Sequence, residues 1–412
     1  MKAPHDPSPY PAITPPAGDD ALTRLVHLRD LPVRHIVGLM SGTSADATDA
    51  ALCAVTGSGL DTRVELLGKV SVTFPRPLRE RIFALAEADT RELAQLDVLI
   101  GEIFADAVIA VAREARLALS DVHLVASHGQ TATHLPRSPI TPGASLQIGQ
   151  AAVIAERTGL PVISDFRVRD IAAGGEGAPL VPLVDHLLLR APGRRRAVQN
   201  IGGIANVTLL GETIDDLVAF DNGPGNMALD AVARAASRGL ESYDVDGRRG
   251  AAGQVDEALL AELNQHPYLL RPPPKSTGRE LFGRRFVYPL LDRFRDRPAR
   301  VPGGNPLDDL LATLTRFSAE AIVQSYREHL PVFPDEVYVS GGGAHNPTLI
   351  RHIAELCAPV PVKTTAAIGL DPDAKEAIAF AVLANETLHG HTGNVPRATG
   401  AHGPRVLGKI TL

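Results

Sequence analysis

Two distant stretches of the chain follow one design: an apolar strand, a glycine-bearing turn and a returning apolar strand. In RHIVGLMSGTSADATDAALCAV, Ile36–Met40 reads as a buried strand, Ser41–Ser44 as a tight turn and Ala50–Val55 as the return. In RAVQNIGGIANVTLLG the turn is Gly202–Gly203, and the return ends near Leu210. The echo is not a sequence repeat, but it points to two halves built on one plan. Strand and helix patterns then alternate in each half, which predicts an α/β fold. After the first hairpin come the strand VELLGKVSVTF, a long helix from Asp89 with a capping box to Glu92, and two strands, HLVASHGQT and GLPVISDF, each running into a turn. After the second come LVAF, a strand ending at Asp221, a helix-rich region, the strand DEVYVS with a triple glycine, and a helix over DPDAKEAIAFAVLANETL. The expected division is an extension (1–33), a first domain (34–191 with 386–412) and a second (192–385). Two such halves facing each other leave a cleft lined by glycine turns, where a ligand is expected.

The apolar fraction of 44% and charged fraction of 21% suffice for an ordinary core in a chain of 412 residues. The net charge of −6 and the absence of long basic blocks exclude nucleic acid as the expected partner, and Arg194–Arg196 reads as a solvated loop. No apolar run approaches the ~18 residues of a membrane span. Cys53 and Cys357 sit far apart in apolar contexts and read as buried free thiols of a reducing compartment. The first sixteen residues hold six prolines and no signal-type apolar run, so the extension is expected to be disordered and the protein cytoplasmic.

Three glycine turns follow apolar strands: GLMSGTSADATD, NIGGIAN and VSGGGAHN. Glycine lets backbone amides approach an anion, and the hydroxyls of Ser41, Thr43 and Ser44 add donors. Asp46 and Asp49 are candidates to hold magnesium, directly or through water. Any one such turn is ordinary punctuation; the three together point to a nucleotide. The P-loop, the strand-linked G-x-G-x-x-G, the kinase catalytic loop and the G-x-S-x-G elbow are all absent. DVDG begins like a calcium loop, but Arg248 occupies its third ligand position. His128 and His134 lack partners at metal-ligand spacing and read as hydrogen-bonded structure or a substrate contact. Gly174, Gly175 and Gly177 mark a loop or hinge, and Lys275, Ser276, Thr277 and Arg279 either close over an anion or begin an exposed helix. Asp221, before NGPG, is either turn chemistry or a base on a rigid support.

In order along the chain, from about Ile36 to Gly408, these motifs resemble the anhydro-N-acetylmuramic acid kinases: GLMSGTSADATDAAL, SHGQT, LQIG, DFRVRDIAAGGEGAPLVP, NIGGIANV, FDNGPGN, YDVDG, PKSTGRE, SGGGAHN, DPDAKEAIAFAVLA and TGAHGPRVLG. The resemblance implies two ribonuclease-H-like domains of the actin and hexokinase type flanking an interdomain active-site cleft, with ATP and Mg2+ bound there. It implies that water opens the 1,6-anhydro bridge of anhydro-N-acetylmuramic acid and that O6 takes the γ-phosphoryl group, giving N-acetylmuramic acid 6-phosphate in cell-wall recycling. Asp221 matches the general base, and Glu376 an acid near the nucleotide and metal. Ser41, Gly42, Thr43, Ser44, Ala45, Asp46, Ala47, Thr48 and Asp49 match the ATP segment. Gly202, Gly203, Asn206 and Gly341–Gly343 supply the other nucleotide turns. His128, Gln130, Thr131, Arg167 and Asp170 match substrate contacts. Ala47 stands where the family commonly has glycine, which costs about 1 kcal/mol or more if φ there is positive. A kinase for another 1,6-anhydro sugar, such as levoglucosan, would share nearly every motif. A nucleotide-gated sensor would not need both Asp221 and Glu376. A homodimer is expected for an enzyme of this size.

Overall fold

The computed structural model describes residues 20–42, 45–85, 88–135, 137–138, 140–298 and 304–412. The chain divides into two compact units. One takes the described residues up to Leu188 together with Glu376–Leu412, and the other is Leu189–Lys375.

In the first unit, β1 (Arg34–Ser41), β2 (Ala47–Thr56) and β3 (Arg63–Thr73) form an antiparallel meander. β4 (Leu124–Leu135) pairs parallel to β1, β5 (Ala144–Ile148) pairs antiparallel to the end of β4, and β6 (Val162–Ser164) pairs parallel to its start. The C-terminal strand Lys409–Thr411 closes the far edge. The helix Thr90–Glu114 covers one face, burying Leu96, Ile100, Phe104, Val108 and Val111 against Val37, Leu39, Leu52 and Val125. Its spacing was legible as an amphipathic stripe. Asp89 caps it through Arg91 and Glu92, but the Glu92 carboxylate pairs with Arg81, so the expected reciprocal box is only half formed. β1 also runs close to the helix Lys375–Leu388: a Cβ on Gly38 would sit 1.9 Å from the Ala377 carbonyl oxygen. Gly38 therefore answers a close approach of two backbones.

The second unit repeats the plan. β7 (Arg196–Ile201), β8 (Ile204–Leu210) and β9 (Val218–Pro224) form the meander. β10 (Glu336–Ser340) pairs parallel to β7, and β11 (Val362–Thr364) pairs parallel to β10. The core order is β3-β2-β1-β4-β6 in one sheet and β9-β8-β7-β10-β11 in the other, with the second strand antiparallel to the rest. That is the ribonuclease-H-like plan, present twice. The helix Pro306–His329 packs under this sheet through Ala319, Ile322, Val323 and Tyr326.

Three expectations need correction. Ala21–Asp30, inside the stretch expected to be disordered, is a helix capped by Asp20. HGQT is no turn: β4 continues through it to Leu135, with irregular register where it meets β1 and β5. NGPG is no turn either: β9 runs to Pro224 and the helix Asn226–Ala236 starts after Gly225. Cys53 and Cys357 are buried and unpaired, and burial pushes their thiols up to about 12 and about 11. Among the described residues, no helix is long and apolar enough to cross a membrane.

Candidate active site

The residues singled out from the sequence fall into two clusters, one in each unit. In the second unit, the row Ser340, Asn200, Asn206 and Asp221 crosses four strands in register. Directly opposed residues share a face of a sheet, so their side chains make one polar row. Beside it the glycine turns converge. A Cβ on Gly341 would meet the Asn200 side chain at 2.6 Å, and one on Gly225 would meet the Gly202 carbonyl oxygen at 2.4 Å. The Asn226 amide donates to that same carbonyl at 2.7 Å, and Met227 to that of Gly203 at 3.1 Å. Gly341 takes φ +77°, and Gly342 and Gly343 open a tight helical turn. The first amides of such a turn have no intrahelical acceptor and point outward, which suits an anion.

Asp221 lies in β9, the edge strand of its sheet, and the segment Lys275–Thr277 covers that edge. The Asp221 amide donates to the Lys275 carbonyl (3.2 Å), and the Tyr268 hydroxyl to the Asp221 carbonyl (2.9 Å). The Thr277 amide donates to Asp221 Oδ2 at 2.9 Å. Oδ1 accepts no hydrogen bond among the described residues, and the side chain is only half-buried. Burial raises the carboxyl to about 6; Glu280 pushes the same way, while the Thr277 amide and Lys275 oppose it. Next in sequence, Asn222 is fully buried in a chain of side-chain hydrogen bonds. Tyr326 donates to Gln199 (2.7 Å), Gln199 to Asn222 (2.8 Å) and Asn222 to Ser325 (2.6 Å). This network ties β9 to β7 and to the helix beneath. It fixes the strand that carries Asp221.

In the first unit, the Ser41 hydroxyl donates to Gln130 Oε1 at 2.7 Å, and Gln130 donates to the Gly42 carbonyl at 3.3 Å. The Ala45 amide donates to the Gly42 carbonyl at 3.1 Å. Gln130 is buried and bridges Ser41 and Gly42. Thr131 accepts from Gln147 at 3.3 Å. Thr43 and Ser44 lie outside the described residues. Ala47 opens β2 in extended backbone, so alanine costs nothing there; the left-handed residue is Ala45, at φ +49°. Thr48 is buried and donates to the Met40 carbonyl. Asp46 is exposed and paired with Arg79, while Asp49 is half-buried on β2.

His128 is buried against Phe380 and is an acceptor at Nε2, where Arg167 Nε donates at 2.9 Å, because Nδ1–H donates to the Gly129 carbonyl. Burial and the neighbouring guanidinium hold the ring well below its usual value, so it is neutral. Arg167 also donates to the Gly177 carbonyl (2.8 Å); burial lowers it to about 10, against the pull of Glu376 and Asp170. Glu376 is exposed in the first turn of its helix. Asp170 has no exposed surface. Its oxygens accept from Asn394 (2.6 Å), Thr399 (2.7 Å) and the Gly177 amide (2.8 Å), so it braces the loop and does not face a ligand. His134 meets Ser145 at 3.1 Å. The Lys275 ammonium is turned inward and cannot close over an anion, and Asp244 of the calcium-like loop instead accepts the Arg249 and Gly250 amides.

Among the described residues, no three His, Cys, Asp or Glu side chains gather as a metal site. Magnesium beside a nucleotide needs only one or two carboxylates, with water and phosphate completing its shell. Asp46, which is paired with Arg79, and Asp49 are the acids expected in that role. Asn200 was missed by sequence reasoning, though its mirrored spacing with Asn206 about the glycine turn is a signal for it; Thr277 was singled out, but not as the partner of Asp221.

The family model of the anhydro-N-acetylmuramic acid kinases matches residues 34–412. A curated protein named anhydro-N-acetylmuramic acid kinase, from Caldanaerobacter subterraneus subsp. tengcongensis, is 43% identical, covering 95% of this chain and 100% of its own. One of the same name from Cyanothece sp. is 44% identical over 91% of this chain and 99% of its own. Similar solved structures include component A of (R)-2-hydroxyglutaryl-CoA dehydratase from Acidaminococcus fermentans (14% identity, 86% of this chain and 99% of that chain, TM-score 0.44). Another is the ROK hexokinase from Thermus thermophilus (15% identity, 84% and 97%, TM-score 0.34).

Proposed function

Since the chain belongs to the anhydro-N-acetylmuramic acid kinase family, we propose that it opens the 1,6-anhydro bridge of anhydro-N-acetylmuramic acid with water and phosphorylates the freed O6 from ATP. The observation that supports this most is the state of Asp221. One of its oxygens is held by the Thr277 amide, the other is unengaged, and its carboxyl is raised to about 6. A base poised near the working pH, with one oxygen ready for a proton, suits activation of water. In this reading Asp221 takes the proton as the water oxygen bonds to C1. The C1–O6 bond breaks, and O6 takes the γ-phosphoryl group as the bond from that phosphorus to the β-phosphate oxygen breaks and ADP leaves.

The converging turns at Gly202–Gly203 and Gly341–Gly343, with the Ser41–Asp49 segment, bind the nucleotide. Asn206 and Asn200, in the row with Asp221, orient the ligand beside it. Asp46 and Asp49 hold Mg2+, which neutralises phosphate charge when bound. The neutral His128 and the Arg167 it orients bind the sugar, and Glu376 serves at the nucleotide and metal. Asp170 acts only by bracing their loop. The protein works in the cytoplasm as a homodimer.

A phosphate-transfer assay over a panel of 1,6-anhydro sugars tests the substrate. Transfer to anhydro-N-acetylmuramic acid at least ~10-fold faster than to levoglucosan is expected, on the scale a shaped pocket discriminates. Preference for levoglucosan, or no transfer to either, overturns the reading. Run in 18O-labelled water, the reaction should place label on C1; unlabelled product would exclude hydrolytic opening.

A further inference from the structure

Lys275 is 5% exposed, and its ammonium lies 5.0 Å from the centre of the Tyr268 ring and 5.7 Å from that of Phe220, donating to the Leu269 carbonyl at 3.2 Å. A buried cation needs such partners, and aromatic faces supply part of what water would. Both rings adjoin Asp221: Phe220 precedes it in β9, and Tyr268 donates to its carbonyl. The Lys275 carbonyl accepts the Asp221 amide, and two residues on, the Thr277 amide holds the carboxylate. Backbone and side chain of one lysine thus both meet Asp221 or residues that adjoin it.

We propose that Lys275 is a positioning residue for Asp221: its ammonium, seated between Tyr268 and Phe220, clamps the Lys275–Thr277 segment to β9 so that the Thr277 amide holds Oδ2 and turns Oδ1 to the substrate water. The proposal rests on Asp221 being the base. Without the clamp the edge strand loses its cover, and the carboxylate regains the rotamer freedom that a productive geometry cannot tolerate. The charged and titratable groups around the pair are Glu280, Tyr268, Arg271 and Glu328. His329 also reaches the Leu269 carbonyl, at 3.0 Å. Glu280 opposes ionisation of Asp221 and Lys275 favours it, so loss of the lysine charge moves the base upward.

The test compares Lys275→Met, Lys275→Arg and Asp221→Asn in the full-length protein, following folding by circular dichroism and kcat, KM and the pH profile with anhydro-N-acetylmuramic acid and ATP. Lys275→Met should fold, lose about 10- to 100-fold in kcat, keep KM for ATP within about 2-fold, and shift the acid limb of kcat/KM to higher pH. Lys275→Arg should recover most of the limb. If the methionine variant does not fold, Lys275→Gln, which retains a donor for Leu269 without charge, takes its place with the same expectation. An unmoved limb with kcat within about 2-fold of wild type, while Asp221→Asn is inactive, overturns the clamp and leaves the base standing. Turnover in Asp221→Asn overturns the base itself.

Discussion

At the residue scale, the question is what burial does to one carboxylate. Asp221 at about 6 is ionised at neutral pH and protonated in mild acid, so kcat/KM should fall on the acid side with a limb near pH 6. Asp221→Asn should lose turnover by ~10² or more, the usual scale for removing a general base. The same shift makes a stability statement. The folded value stands above the ordinary 3.8, so the folded state holds this proton more tightly than the unfolded chain. Ionisation of Asp221 therefore costs stability, in full above about pH 6, and the cost disappears as pH falls below 4. Asn keeps an acceptor for the Thr277 amide without the charge. The variant should melt higher than wild type at pH 8, with the gain gone at pH 4. A melting point lowered equally at both would mean that the carboxylate stabilises the site and is no strained base.

At the element scale, the glycines and Asn222 of FDNGPGN behave unlike turn residues. A Cβ on Gly225 falls against backbone, the Gly202 carbonyl, which no side-chain rotation can relieve. Gly225→Ala should lower the denaturant midpoint by the equivalent of about 1–3 kcal/mol and weaken nucleotide binding, since the turn at Gly202–Gly203 must move. An unchanged midpoint would show that the junction is looser than its geometry. In the buried chain beneath, Tyr326→Phe leaves Gln199 Oε1 without its donor. It should cost about 1–3 kcal/mol in chemical unfolding, far more than the same change at exposed Tyr288. The strands themselves were legible in the sequence because apolar runs such as Ile36–Met40 and Val337–Val339 depend on local pattern alone. The continuation of β4 through His128–Leu135 and of β9 through Pro224 was not. Gly129 and Gly223 read locally as breaks, yet the pairing of β4 with β5 and of β9 with β8 keeps both segments in the sheet. Likewise Asp170 and Arg167 look alike in DFRVRD. Only the distant Asn394 and Thr399, which saturate the aspartate, separate a brace from a contact.

At the scale of the whole molecule, the duplicated strand order puts glycine turns at equivalent places in both units, after β1 and after β7. The residues assigned to nucleotide divide accordingly: Ser41–Asp49 in the first unit, Gly202, Gly203, Asn206 and Gly341–Gly343 in the second. The acids assigned to the metal are all on the first unit's side of that division, the converging turns all on the second's. The two groups of residues can therefore be tested separately. ATP alone, engaging the turns, should raise the unfolding temperature, by the equivalent of about 2.7 kcal/mol at a hundredfold excess over its Kd. Magnesium should add a further increment, and that increment alone should shrink in Asp49→Asn. Asp46→Asn, which leaves Arg79 without that carboxylate, serves as the comparison. Differential scanning calorimetry with ATP, with and without magnesium, on the three proteins reads both increments. If Asp49→Asn keeps the full magnesium increment, Asp49 does not hold the metal. If instead it loses the ATP increment without magnesium, the residue shapes the turn and its acidity is incidental.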